Sequence, residues 1–255
     1  MRFLKIFLIL AVVAACQTVS PPPPVVTGRP NDGDRVYYFG QALFKDKVFD
    51  GDVVAMGRAL AQRYGGLDGR VLVGHHGGQV SNLSDPAAAA ALADLARSAR
   101  DGRDLVVVLL TSHGLPGEIA VRHPGMKHHT SLTASDLRQL LRPLENDRHV
   151  VILQACYSGS LIPALQSPNR IILTAARADR TSFGCAPGSN NTWFIRSLVE
   201  ELQQGGSWQD VYLRTRSRVQ GYERRKGIGI HENSQPQASV GGRMQGLWAG
   251  AGGPG

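Results

Sequence analysis

The stretch that decides the fold is HVVILQACYSGS, residues 149–160. Apolar residues run without a break from Val150 to Leu153, which is typical of a strand buried on both faces. The run leads into Cys156, and a Ser-Gly-Ser turn follows at once. The pattern therefore predicts a buried strand whose carboxyl end carries a thiol.

Other apolar segments of this kind alternate with helical patterns along the chain. We predict strands at 35–39, 70–73, 104–111, 149–154 and 170–174, and helices at 51–64, 86–100, 133–141, 192–204 and 208–219. Apolar strands that alternate with helices indicate a mostly parallel sheet covered on both faces, which is an α/β fold. The 255 residues suffice for one sizeable domain, which we place at 31–241.

Two strand ends carry reactive side chains, and functional sites in parallel sheets lie beyond the carboxyl ends of the strands. DLVVVLLTSHG (104–114) ends on His113, and the strand at 149–154 ends next to Cys156. If the strands are neighbours, the imidazole can activate the thiol by accepting its proton. The N–H groups of Gly114 and Cys156 would then form an oxyanion hole. Taken alone, a buried cysteine more often serves only to pack the core.

Three motifs together resemble the legumain family of cysteine peptidases, which shares a structural group with caspases and gingipains. They are TSHG (111–114), QACYSGS (154–160) and TAARADRTSFGC (174–185). The resemblance covers about 35–241 and implies a three-layer α/β/α sandwich with a mostly parallel central sheet. It also implies that His113 and Cys156 are the catalytic dyad.

The same resemblance implies a substrate pocket formed by Gln154, Thr181 and Ser182. Plant and animal legumains carry a glutamate two positions before the nucleophile. This chain has Gln154 there, and caspases also have a glutamine. Asn190 or Asn191 stands where the family often has an acidic residue. For the third residue, which orients the histidine, Asp46 is the one candidate, and we leave it out of the predicted site.

The first fifteen residues have the features of a bacterial lipoprotein signal peptide. Arg2 and Lys5 precede an apolar run over 6–15, which is too short to span a bilayer. Small residues lead to Cys16, so we expect cleavage before Cys16 and a lipid on its thiol; the alternative is a plain secretory signal. The proline-rich segment up to residue 30 then forms a tether. Gln17 favours the outer membrane, with the domain facing the periplasm.

The remaining cysteines, Cys156 and Cys185, leave two interpretations open. An exported compartment permits a disulfide between them, and a bridged thiol could not attack a substrate. We favour packing for Cys185, which the legumain family frequently keeps at this place. The glycine-rich tail, 242–255, is predicted to be disordered.

Neither the charge distribution nor the motifs indicate that the protein binds a cofactor or a nucleic acid. The formal net charge is +8, and its densest stretch, RTRSR (214–218), lacks interleaved aromatic residues, so we interpret it as the solvated face of a helix. The histidines lack the spacing of a zinc site, so we expect no metal. No phosphate-binding or dinucleotide motif is present, and we expect no cofactor.

We therefore predict a cysteine endopeptidase that acts on peptides or proteins while tethered to the membrane through Cys16. Two alternatives stay open. The same dyad can transfer the acyl group to an amine, which would make the protein a transpeptidase. The fold can also serve as a non-catalytic binding module of the cell envelope.

Overall fold

The computed structural model describes residues 34–100 and 102–250. Its central sheet has six strands in the order β2-β1-β3-β7-β8-β9, and a second sheet has three in the order β4-β5-β6. The strands are β1 Val36–Ala42, β2 Gly69–Val73, β3 Leu105–Thr111, β4 Gly114–Leu115, β5 Glu118–Val121, β6 Thr130–Thr133, β7 Arg148–Gln154, β8 Arg170–Thr174 and β9 Gln237–Val240.

Helices cover both faces of the central sheet. They are α1 Lys47–Tyr64, α2 Asp85–Ser98, α3 Ala134–Leu141, α4 Ile162–Leu165, α5 Trp193–Gln203, α6 Trp208–Arg225 and α7 Gln245–Ala249. One buried cluster joins the sheet to α1, α5 and α6, and another joins it to α2, α3 and α4. Only β9 runs antiparallel to its neighbour in the central sheet. The predicted three-layer α/β/α sandwich with a mostly parallel sheet is therefore confirmed.

The register of the central strands positions the functional edge. Every residue of β3 is buried, as its apolar run predicts. Thr111, the last residue of β3, pairs with Gln154, the last residue of β7. The Ser112 N–H continues this pairing by donating to the Gln154 carbonyl over 2.9 Å. Because each partner is followed two residues later by His113 or Cys156, both side chains leave the sheet at the same edge.

Several segments differ from the sequence expectation. α1 begins four residues earlier than predicted, α6 ends six residues later, and α4 and β9 were not predicted. Two further differences are larger. The segment 114–132 was expected to be a loop, and residue 133 the start of a helix. Residues 114–133 instead form the small antiparallel sheet β4-β5-β6. The disorder predicted for 242–255 is wrong for residues 242–249, which form a 3₁₀ turn followed by α7. Apolar side chains explain this order despite the glycines. Met244 is fully buried, and the Trp248 ring packs at a tilt against Tyr212, with ring centroids 5.7 Å apart.

The predicted signal peptide, Cys16 and the tether lie outside the described residues, as do residues 251–255. Within the described part, no helix has both the length and the apolar character needed to cross a bilayer.

The basic stretch in α6 makes intramolecular ion pairs with α5. Glu201 is almost fully buried and receives Arg214 Nε and Arg218 Nε, each over 2.7 Å. Two arginines of this stretch are therefore used to hold α6 against α5.

A buried histidine lies at the opposite end of the sheet from Cys156. His149 is fully buried in β7, and its Nε2 accepts a hydrogen bond from Arg170 Nε over 2.5 Å. Burial, followed by the charge of Arg170, lowers the pKa of His149 to about 3 from the ordinary 6.5. The folded protein therefore keeps this ring neutral over a pH range in which the unfolded chain protonates it.

We predict that His149 makes the fold sensitive to acid. Below about pH 6.5 the unfolded state binds a proton that the folded state does not. The free energy of unfolding should therefore decrease as the pH is lowered to about 3, by up to about 1.4 kcal/mol per pH unit. His149→Gln keeps an acceptor for Arg170 without a titrating ring, and its stability should fall less steeply. Urea unfolding between about pH 4 and pH 7 measures both slopes. The exposed His129→Gln is the control, and equal slopes for His149→Gln and wild type would contradict the prediction.

Candidate active site

His113 is held between the end of β1 and the start of α1. Its Nε2 lies 3.0 Å from Asp46 Oδ2. The rings of Phe44 and Phe49 pack edge-on against the imidazole, with centroids 4.7 and 5.1 Å away. Asp46 occupies the N-cap position of α1, so the turn that starts the helix also places the carboxylate. These contacts fix the orientation of the ring.

The surroundings of His113 favour its protonated form. The pKa of the ring is raised because the Cys185 thiol and then the Asp46 carboxylate interact with it, while burial acts in the opposite direction. A base with a raised pKa holds more firmly the proton that it accepts.

Cys156 lies in the turn directly after β7, with its thiol partly buried. The Ser182 N–H donates to Cys156 Sγ over 3.3 Å, and Ser182 Oγ lies 3.7 Å from the same sulfur. Tyr157, the next residue, has φ +57°, a left-handed conformation that is rare for a side chain of this size. Its N–H donates to the Arg180 carbonyl over 2.7 Å, which stabilises the turn. The sharp turn thus leaves the sulfur at the sheet edge against the loop after β8.

Gly114 brings the histidine segment against the cysteine segment. A Cβ added at Gly114 would lie 2.5 Å from the Cys156 carbonyl oxygen, so only glycine allows this approach. Leu115 and Glu118 pair across a two-residue turn, and the Gly114–Ile119 pair follows. Because hydrogen-bonded and non-bonded pairs alternate in an antiparallel ladder, the Gly114 N–H points away from β5.

The predicted pocket residues are only partly brought together. Gln154 is buried, and its Nε2 donates to Ser182 Oγ over 3.3 Å. Its Oε1 is buried without a hydrogen-bond partner in the described part of the chain. Thr181 is instead exposed on a separate cavity of about 410 Å³ that Tyr157 and Arg180 also line. Gln154 and Ser182 thus adjoin the thiol, while Thr181 lies at a rim.

A buried carboxylate joins the elements around this edge. Asp52 of α1 accepts hydrogen bonds from Thr111 Oγ1, from the Thr192 N–H and from Thr192 Oγ1, each over 2.9 Å. The Asn191 side chain donates to it over 3.3 Å. Burial raises the pKa of Asp52 to about 7, although these hydrogen bonds favour the charged form. Asn191 is therefore part of the hydrogen-bond network of Asp52, whereas the Asn190 side chain is exposed.

Both cysteines in the described residues are free thiols. Cys185 packs partly against the core beside α1 and also interacts with His113. Packing agrees with the favoured interpretation, but the contact with His113 was missed by sequence reasoning. Within residues 34–100 and 102–250, no three His, Cys, Asp or Glu side chains are grouped closely enough to hold a metal ion.

Asp46 is a neighbour of His113 that the predicted site left out. It lies 67 residues before His113 in the sequence, and no pattern links the two. The helix predicted at 51–64 starts five residues after Asp46, so the N-cap preference did not point to this residue. In the structure α1 begins at Lys47, and Asp46 is its N-cap.

Comparisons with known proteins agree with this architecture. The crystal structure of caspase-1 from Spodoptera frugiperda has a similar fold, with a TM-score of 0.55, 15% sequence identity and coverage of 87% of this chain and 92% of that chain. Curated protein sequences yield no match. Residues 95–237, more than half of the chain, match the sequence model of the Peptidase C13 family. The chain therefore belongs to the peptidase C13 family, the legumain family of cysteine-type peptidases.

Proposed function

We propose that the protein is an endopeptidase in which Cys156 is the nucleophile and His113 is the general base. One observation carries the proposal. The paired ends of β3 and β7 deliver both residues to one edge, and Gly114 packs directly on the Cys156 carbonyl. The orientation of His113 by Asp46 supports its assignment as the base.

The reaction would proceed through an acyl-enzyme. His113 accepts the thiol proton while Sγ attacks the carbonyl carbon of the scissile peptide bond. The N–H groups of Gly114 and Cys156 donate to the resulting oxyanion. The C–N bond breaks as His113 returns the proton to the leaving amine, and a thioester remains on Cys156. Water, deprotonated by His113, then cleaves the thioester and restores the thiol.

Specificity would depend on the side chains beside the thiol. We assign Gln154 and Ser182 to the wall of the pocket next to the scissile bond, because they contact each other and Ser182 contacts Sγ. Thr181 would contact a more distant part of the substrate, since it lines the neighbouring cavity.

We also propose that the domain is tethered in the cell envelope. Three features of the sequence support a lipid anchor on Cys16. They are the apolar run over 6–15, the small residues before Cys16 and the proline-rich segment after it. Gln17 favours the outer membrane, with the peptidase in the periplasm. Radiolabelled palmitate incorporation that is lost in Cys16→Ala would test the anchor.

Cleavage of internally quenched peptides tests the catalytic assignment. We expect wild type to cut at least one peptide of a set with Asn, Asp, Arg or Ala before the scissile bond. Cys156→Ala should be inactive, and His113→Ala should lose roughly a thousandfold in kcat/KM, since general base catalysis contributes 10²–10⁴-fold. The matched control, His128→Ala, changes an exposed histidine of the neighbouring loop and should keep full activity.

Two outcomes would contradict the assignment. Full activity in Cys156→Ala would exclude it as the nucleophile, and the absence of cleavage with a folded, reduced protein would favour a binding module. Product analysis with an added amine separates hydrolysis from transpeptidation, because only a transpeptidase would convert most of the acyl-enzyme to the amide.

We predict that Asp46, together with Cys185, raises the pKa of His113 and so contributes to the pH dependence of activity. Asp46→Asn removes a negative charge 3.0 Å from His113, which lowers the pKa of the ring because the protonated form loses its partner. The limb of the pH profile of kcat/KM that reports His113 should therefore move to lower pH. Asp85→Asn is the matched control, since Asp85 pairs at 2.9 Å with another histidine, His123. A profile that Asp46→Asn leaves unchanged would show that Asp46 does not tune His113.

A further inference from the structure

A groove of about 760 Å³ lies beside the candidate active site. Asp46 and Cys185, both of which interact with His113, line its inner end. Residues 76, 77, 79, 80 and 185–191 form its walls, and α1 forms its floor. The volume is in the range of sites that bind small molecules or short peptide segments. The reaction scheme above uses only the inner end of this groove.

One face of α1 forms the floor. Five residues of α1 that line the groove are spaced i, i+4, i+7, i+8 and i+11, as expected for residues that share a helix face. They are Lys47, Gly51, Val54, Ala55 and Arg58. The middle of the floor is made of small side chains. A cation stands at each end, separated along the helix axis by about 16 Å at 1.5 Å per residue.

The two carboxylates of the groove have partners within the protein, whereas Lys47 and Arg58 form no ion pair among the described residues. Asp46 faces His113, and Asp50 accepts the backbone N–H groups of His75 and His76 and lies 2.7 Å from the His76 ring. Lys47 and Arg58 are both exposed. Lys47 also lies in the first turn of α1, where the helix dipole disfavours a positive charge. Stability of α1 therefore does not account for this lysine.

We propose that this groove, given the function proposed above, binds the substrate segment adjoining the scissile bond and selects acidic side chains in it. An extended peptide advances about 3.3 Å per residue, so the floor accommodates about five residues. The small side chains leave room for the peptide backbone, and Lys47 and Arg58 are placed to pair with Asp or Glu near either end of the segment. The substrate class is thus a polypeptide with an acidic stretch beside the cleavage point.

Peptide binding to the Cys156→Ala protein tests this selection without requiring turnover. Two fluorescein-labelled peptides would share one sequence, with glutamates on both sides of an asparagine in the first and glutamines at those places in the second. We expect the glutamate peptide to bind about tenfold more tightly at low ionic strength, because its glutamates can form two exposed ion pairs, with Lys47 and with Arg58. Salt should remove the difference.

The charge-reversal variant Lys47→Glu/Arg58→Glu, built on Cys156→Ala, should abolish or invert the preference. Arg138→Glu/Arg224→Glu makes the same change of net charge at exposed positions outside the groove and should keep the preference. Equal binding of the two peptides, or a preference that survives charge reversal in the groove, would overturn the proposal.

Cleavage of the glutamine peptide by wild type reports the proposed function separately. Cleavage without an acidic preference in binding would overturn the groove assignment alone. An acidic preference without cleavage of either peptide would support the groove and count against the catalytic proposal.

Discussion

The pairing of β3 with β7 at their carboxyl ends is the constraint on which the rest of the site depends. Thr111 lies opposite Gln154, and the next hydrogen bond, from the Ser112 N–H, keeps the two chains together beyond the strands. A shift of one residue would turn the buried side chains of either strand to the opposite face, which two packed helical layers do not tolerate. The hydrophobic core therefore fixes which residues reach the edge, and those residues are the candidate nucleophile and base.

The first strand and the first helix complete the site from the other side. The Leu43 N–H donates to the Thr111 carbonyl over 3.0 Å, which carries β1 past the end of β3 and brings Asp46 to His113. Asp52, six residues after Asp46, binds the segment before α5 and so holds the loop that contains Cys185. The start of α1 thus supplies the partner of the imidazole, the anchor of the segment before α5 and the floor of the adjoining groove.

Sequence reasoning could predict the strand ends because long apolar runs identify buried strands, and His113 and Cys156 directly follow such runs. The small sheet at 114–133 was missed, because strands of two to four partly exposed residues leave no clear periodic pattern. Asp46 and Cys185 could not be assigned for another reason. Their proximity to His113 depends on where two loops turn after β1 and β8, and the sequence contains no local signal for those paths. Gly114 is an intermediate case. The sequence assigned it to an oxyanion hole with Cys156, and the structure brings its backbone against the Cys156 carbonyl.

The most direct test of the account is covalent labelling of the reduced domain with peptide acyloxymethylketones, followed by mass spectrometry of the adduct. We expect one adduct, on Cys156, and its rate of formation should fall sharply in His113→Ala. A higher probe concentration should restore little of this rate. Cys185 should stay unlabelled, although it is also a free thiol beside the same imidazole. An adduct on Cys185, or labelling of Cys156 at the same rate without His113, would contradict the assignment of His113 and Cys156 as a catalytic pair.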